Sequence, residues 1–189
     1  WSSLIIALAL TELKKKYHKN ILKLRRNTPF ELFIVDNEKK FFEITKKKLK
    51  KLKNKIKVKI NYLLTDVNMT TYNGLISTEY KKLPLCNPDL IYLDGPDQFN
   101  IKGNCNGISI RHIDMMPMNC DILKIEYFLV PGTIIIVDGR GANAQFLKNN
   151  FQRKWFYKYE KQFDQHIFTL NDESIGKYND LQLKFYKTI

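Results

Sequence analysis

Apolar positions recur along this chain with two spacings, and the alternation between them lays out its elements. Residues 3–18 begin apolar on every side, from Leu4 to Leu10, then turn polar through "TELKKKYHKN". That pattern predicts a helix buried over its first half and stopped near Asn20. Ser2 and Ser3 stand where N-cap residues belong. "ELFIVD" (31–36) is a short apolar run ending in an acid, as expected of a strand buried on both faces. Over 37–55, Phe41, Phe42, Ile44, Leu49 and Leu52 fall in one broad stripe at helical spacing, opposite a lysine-rich face. "IKVKINYLLTDV" (56–67) reads as a strand. "NMTTYNGLISTEYKKLP" (68–84) reads as loop, with a turn at Asn73-Gly74 and a short helix near Tyr80.

"PDLIYLDGPD" (88–97) is a strand running into a Gly-Pro turn, and 95–118 is a long aperiodic loop of the kind that usually serves function. Residues 120–132 predict a helix stopped by Pro131-Gly132, "TIIIVD" (133–138) a strand, and 139–151 a glycine turn followed by a helix. Segments 154–162, 165–171 and 181–187 read as strands with no helices between them. The order implies an α/β protein with a doubly wound, mostly parallel sheet and an antiparallel edge, forming one domain over 1–189.

Ligands of open α/β sheets bind beyond the carboxyl ends of the strands. Four strands in succession end at a carboxylate there: Asp36, Asp66, Asp94 and Asp138. Any one of them suits a turn or a helix cap. Together they point to a polar ligand, cationic or rich in hydroxyls. In the long loop, His112 is a candidate general base, because its pKa lies near neutrality, and Arg111 beside it a candidate for a carboxylate or phosphate. His166 falls within a strand and suits a structural role; His18 suits the surface.

Charge changes this picture little. The net charge is +13, yet arginine occurs only at 25, 26, 111, 140 and 153, and phosphate and guanine recognition favours arginine. The excess of Lys, Asn, Ile, Phe and Tyr matches AT-rich codons, which argues against a dedicated nucleic-acid function. Three widely spaced cysteines, Cys86, Cys105 and Cys120, form no C-x-x-C, so a reduced cytoplasmic protein is the expectation. The apolar opening ends at Glu12, short of the ~20 residues of a membrane span. It also lacks a basic n-region and a small-residue cleavage site.

"FIVDNE", "LLTDV", "DLIYLDGPD" and "LVPGTIIIVDG", in that order, resemble the later part of a class I, Rossmann-like S-adenosylmethionine-dependent methyltransferase. The turn of the last motif has Thr133 where the family usually has a second glycine. The resemblance implies methyl transfer, to a hydroxyl of a small molecule or sugar, with S-adenosylmethionine as cofactor. It also implies that "WSSLIIALAL" is the helix after the cofactor glycine loop, the first central strand being missing ahead of Trp1. Ser2 and Ser3 would then lie near the methionyl end, Asp36 and Asn37 at the ribose, Asp66 and Val67 beside the adenine, and Asp94 and Gly95 near the sulfonium and substrate. In metal-dependent members, carboxylates at the positions of Asp94 and Asp138 hold Mg²⁺; here Gly139 replaces their third ligand.

A rival motif shares the last strand. Gly139-x-Gly141-x-x-Ala144 follows it directly and opens a helix, with Glu160 about twenty residues on, as in a dinucleotide fingerprint. An NAD(P)-dependent oxidoreductase is the alternative enzyme, and a basic non-enzymatic binding protein the alternative outside catalysis.

Overall fold

The computed structural model describes residues 1–24 and 27–188. Arg25 and Arg26, two of the arginines noted above, and Ile189 lie outside the described residues. The protein is a mixed α/β chain. It is organised in two compact units, Trp1–Thr65 and Asp66–Ile189.

The first unit contains α1 (Ser2–Ile21), β1 (Glu31–Asp36), α2 (Lys39–Lys51) and β2 (Lys59–Leu64). The two strands pair in parallel, Glu31 opposite Lys59 and Asp36 opposite Leu64. Their core is Ala7, Ile34 and Leu49, with Leu4, Leu32, Ile56 and Ile60 against it. Two expectations need correction. α1 buries one side only: Ala7 and Thr11 are inside, while Ile5 is exposed. In α2, Phe42 and Leu49 point inward, but Phe41 and Ile44 are exposed, so the buried stripe is narrower than the spacing implied.

The second unit holds two sheets. β3 (Val67–Tyr72) and β4 (Leu75–Tyr80) form an antiparallel hairpin, and β3 also pairs in parallel with β6 (Ile101–Lys102). The hairpin replaces the loop and short helix expected over 68–84. Its turn is the Asn73-Gly74 pair, both at positive φ (49° and 80°), a two-residue connection that matches strand twist. The other sheet has the order β5 (Leu90–Leu93), β7 (Ile134–Asp138), β9 (Gln165–Leu170), β8 (Trp155–Glu160). β5 and β7 are parallel, and β9 and β8 run antiparallel to their neighbours.

α3 (Asp121–Ile125), a 3-10 turn over Glu126–Phe128 and α4 (Gly141–Asn150) cover this second sheet. The core joins Ile135, Val137, Phe168 and Leu170 of the strands to Leu123, Ala144 and Leu147 of the helices. The last predicted strand is in fact a helix, α5 (Lys177–Tyr186). Its inner residues are spaced i, i+3, i+4, i+7 but are mostly polar. Asn179 donates to Pro131 O (3.1 Å), Gln182 to Asp89 Oδ1 (2.7 Å), and the Tyr186 hydroxyl to the same carboxylate.

Candidate functional site

Leu93 and Val137 are register partners at the carboxyl ends of parallel β5 and β7. The next residues, Asp94 and Asp138, wall a cavity of 510 Å³ together with Arg140, Asn143, Phe163 and Asp164. Asp138 is held from two sides, by the Tyr92 hydroxyl on Oδ2 and by Gln165 Nε2 on Oδ1 (3.1 Å). Burial raises the pKa of Asp94; the Arg140 guanidinium opposes that rise and the Asp138 charge adds to it.

The rest of the wall is the turn from β7 into α4. Gly139 sits at φ 60° and its amide donates to Asp164 O (3.0 Å), which ties the turn to the β8–β9 connection. Asp164 is itself left-handed (φ 50°), and its Oδ1 receives the Tyr159 hydroxyl (2.9 Å). α4 begins at Gly141 with no side-chain cap. Within its first turn, Asn143 is buried; its Oδ1 accepts the Asn119 amide, while its Nδ2 has no hydrogen-bond partner.

The structure brings together only part of the predicted set. Asp94 and Asp138 share the cavity. Asp66 does not line it: this residue precedes β3 instead of closing a strand, and its carboxylate pairs with Lys102 Nζ at 2.8 Å. The hydrogen bond from Lys102, against some desolvation, holds its pKa below the ordinary carboxylate range. Val67 is fully buried with Ile101 and Ile110, leaving no side-chain surface to flank a ring. Gly95 lies next to the Tyr80 hydroxyl, which a Cβ would meet at 3.1 Å.

His112 is exposed outside the cavity, with Nδ1 accepting the Asp114 amide (3.2 Å). Arg111 turns its Nε onto Ile101 O. Glu160 pairs with Lys158 (2.6 Å). His166 is buried and His18 exposed, as their sequence positions implied.

In the first unit, Asp36 ends β1 and its Oδ1 accepts the Glu38 amide (2.9 Å). The cap of α2 is Glu38, not Asp36. Asn37 is half-buried between them. Ser2 and Ser3 lie inside the first turn of α1, where Trp1 is the cap residue and no side chain caps the helix. Among the described residues, no group of three or more His, Cys, Asp and Glu side chains is placed to hold a metal ion. The cysteines are free, and no described helix is long and apolar enough to cross a membrane.

Arg140, Asn143 and Asp164 were not singled out from sequence as site residues. Arg140 and Asn143 lie within the "GRGANA" turn, which the spacing of Gly139, Gly141 and Ala144 had marked without pointing to these two residues. Comparison with protein-family models, with curated proteins and with solved structures finds no match for this chain.

Proposed function

We propose that the protein is an S-adenosylmethionine-dependent methyltransferase with a Rossmann-like fold, acting on a hydroxyl of a small molecule or sugar. The observation that carries the reading is the cavity at the carboxyl ends of β5 and β7, walled by Asp94 and Asp138. Parallel sheets bind ligands at that end. The antiparallel β9, paired with β7 on one side and β8 on the other, supports the expected antiparallel edge.

The cofactor supplies an electrophilic methyl on a sulfonium. The chain's part is to orient and deprotonate the acceptor. With that cofactor bound, a substrate O–H would donate to Asp94, and the carboxylate would take the proton as the oxygen accepts the methyl. A carboxylate whose pKa is raised by burial is a better base than a solvated one. Asp36, which ends β1 in the first unit, is the residue that the family resemblance assigns to the ribose. Asp94 and Asp138 offer oxygen ligands that suit Mg²⁺, although Asp138 already accepts two hydrogen bonds.

Calorimetric titration with S-adenosylhomocysteine tests the reading. Binding is expected, and Asp36→Ala should weaken it by roughly tenfold or more. Asp94→Asn should leave binding in place and remove methyl transfer. No binding by the unmodified protein defeats the proposal.

One observation favours the dinucleotide alternative: the "GRGANA" turn does line the cavity. The strand after α4, β8, runs in the direction of β7 but pairs only with the antiparallel β9 that lies between them, so no parallel neighbour extends the sheet beyond β7. If the alternative holds, Gly141→Val abolishes NAD binding and Asp36→Ala does not.

A further inference from the structure

Among the described residues, the first turn of α4 is a set of hydrogen-bond donors without acceptors. α4 has ten residues, and Ala144 is the first whose amide meets a backbone carbonyl, that of Arg140 at 2.9 Å. The amides of Gly141, Ala142 and Asn143 precede it, and no side chain caps them. Such an end carries partial positive charge and aims N–H groups outward.

Two side chains add to it. Asn143 is 1% exposed, its Oδ1 is committed to the Asn119 amide, and its Nδ2 has no partner. A buried donor left unpaired is costly, so an acceptor belongs there. Arg140, at the cap position, is half-buried, and its guanidinium makes no hydrogen bond or close ion pair among the described residues, acting on Asp94 only through its charge. The other described arginines are both engaged: Arg111 on Ile101 O, and Arg153 on Asp172 and two main-chain carbonyls. Gly141, Ala142, Asn143 and Arg140 all line the 510 Å³ cavity.

We infer that the N-terminus of α4, with Arg140 and Asn143, is a binding site for a phosphate group carried by the ligand of this cavity. A guanidinium fork, helix amides and a side-chain amide are the donors that phosphate recognition uses. The same cavity also contains Asp94, Asp138 and Asp164, which restricts the anion to the α4 end. Asp138 and Asp164 already accept hydrogen bonds from Tyr92, Gln165 and Tyr159. Asp94 remains to receive hydroxyl donors. The ligand is therefore a hydroxylated compound bearing a phosphate. As a statement about substrate this rests on the methyl-transfer reading; as a statement about the phosphate site it does not.

The test is a titration of the whole chain with inorganic phosphate, at constant ionic strength and without cofactor, followed by amide NMR. Saturable shifts are expected at Gly141, Ala142, Asn143 and the Asn143 side-chain amide. Arg140→Ala should weaken binding about tenfold. Asn143→Asp keeps an oxygen for the Asn119 amide but removes the donor, and should abolish binding with its melting transition preserved. If Asn143→Asp does not fold, the shifts and Arg140→Ala still decide. Shifts scattered over surface lysines, or an affinity indifferent to Arg140, overturn the site. Acetate shifting the α4 amides where phosphate does not overturns the phosphate assignment. A failed methyl-transfer assay bears only on the function proposed above.

Discussion

Asp94 and Asp138 occupy the same step on adjacent parallel strands, one residue past the Leu93–Val137 register pair, and wall one cavity. Their environments differ. Asp138 is held by a tyrosine hydroxyl and a glutamine amide, whereas burial raises the pKa of Asp94, opposed by Arg140 and reinforced by Asp138. The folded protein thus holds the Asp94 proton more tightly than the unfolded chain, where an aspartate titrates at about 3.9. The stability this contributes is complete below that value and is lost as pH rises through the folded pKa. Asp94→Asn should therefore raise the Tm at pH 7, by roughly a few degrees at most, and leave it unchanged near pH 3. Calorimetric scans at the two pH values check it; a lower Tm at pH 7 refutes the assignment. Arg140→Ala should move the Asp94 carboxyl titration further up, readable by carbon NMR.

Glu126 supports the same unit from beneath. It is fully buried, and its carboxylate receives the Trp155 indole N–H (2.8 Å) and the amides of Gln152 (3.1 Å) and Arg153 (3.0 Å). Removing the carboxylate leaves three donors without acceptors in the interior. Glu126→Ala is expected to destabilise the fold by about 3–5 kcal/mol in urea titrations. A loss below about 1 kcal/mol means that water replaces the carboxylate.

His166 lies between two tyrosine rings, 4.4 Å from that of Tyr159 and 6.0 Å from that of Tyr157, whose hydroxyl is 2.9 Å from Nδ1. Burial lowers its pKa, with Asp164 acting in the opposite sense. The folded state favours neutral imidazole. That contribution is present above the ordinary histidine value, about 6.5, and is lost as pH falls through the folded pKa. His166→Phe keeps an aromatic ring between the tyrosines and should flatten the fall in stability between about pH 7 and pH 5. An unchanged slope in urea titrations at those two values assigns the loss to other groups.

Segments whose burial is apolar were legible. β1, β5, β7, β8 and β9, and the helices α1, α2 and α4, follow runs or stripes of Leu, Ile, Val and Phe. Segments whose burial is polar were not. The β3–β4 hairpin carries Asn68, Thr70, Thr71, Ser77 and Thr78. Thr78 is completely buried because its backbone bonds Met118 O (2.9 Å) and the Cys120 amide (3.0 Å). In α5, the exposed alternation of Leu181 with the half-buried Leu183 and Phe185 imitates a strand, while the true inward stripe is Asn179, Gln182, Leu183 and Tyr186. The site divides in the same way. Asp94 and Asp138 stand out because each acid ends an apolar run. Arg140 and Asn143 acquire meaning only from what they fail to meet, which no spacing encodes.

Gly132 and Leu183 give the sharpest check on α5. Gly132 precedes β7 at φ 94°, and a Cβ there would come within 2.7 Å of Leu183 Cδ2 and 3.4 Å of the Tyr186 ring. Gly74, at φ 80° in the hairpin turn, has open space around it. Both positions strain an L-residue, but only the first adds a collision. Gly74→Ala should cost about 1 kcal/mol, and Gly132→Ala about 2–4 kcal/mol. Leu183→Ala removes the colliding methyl, so the double variant should be more stable than the sum of the single losses predicts, by about 0.5 kcal/mol or more. Strict additivity in urea titrations would mean that α5 does not pack against this turn, and the strand first expected at 181–187 would have to be reconsidered.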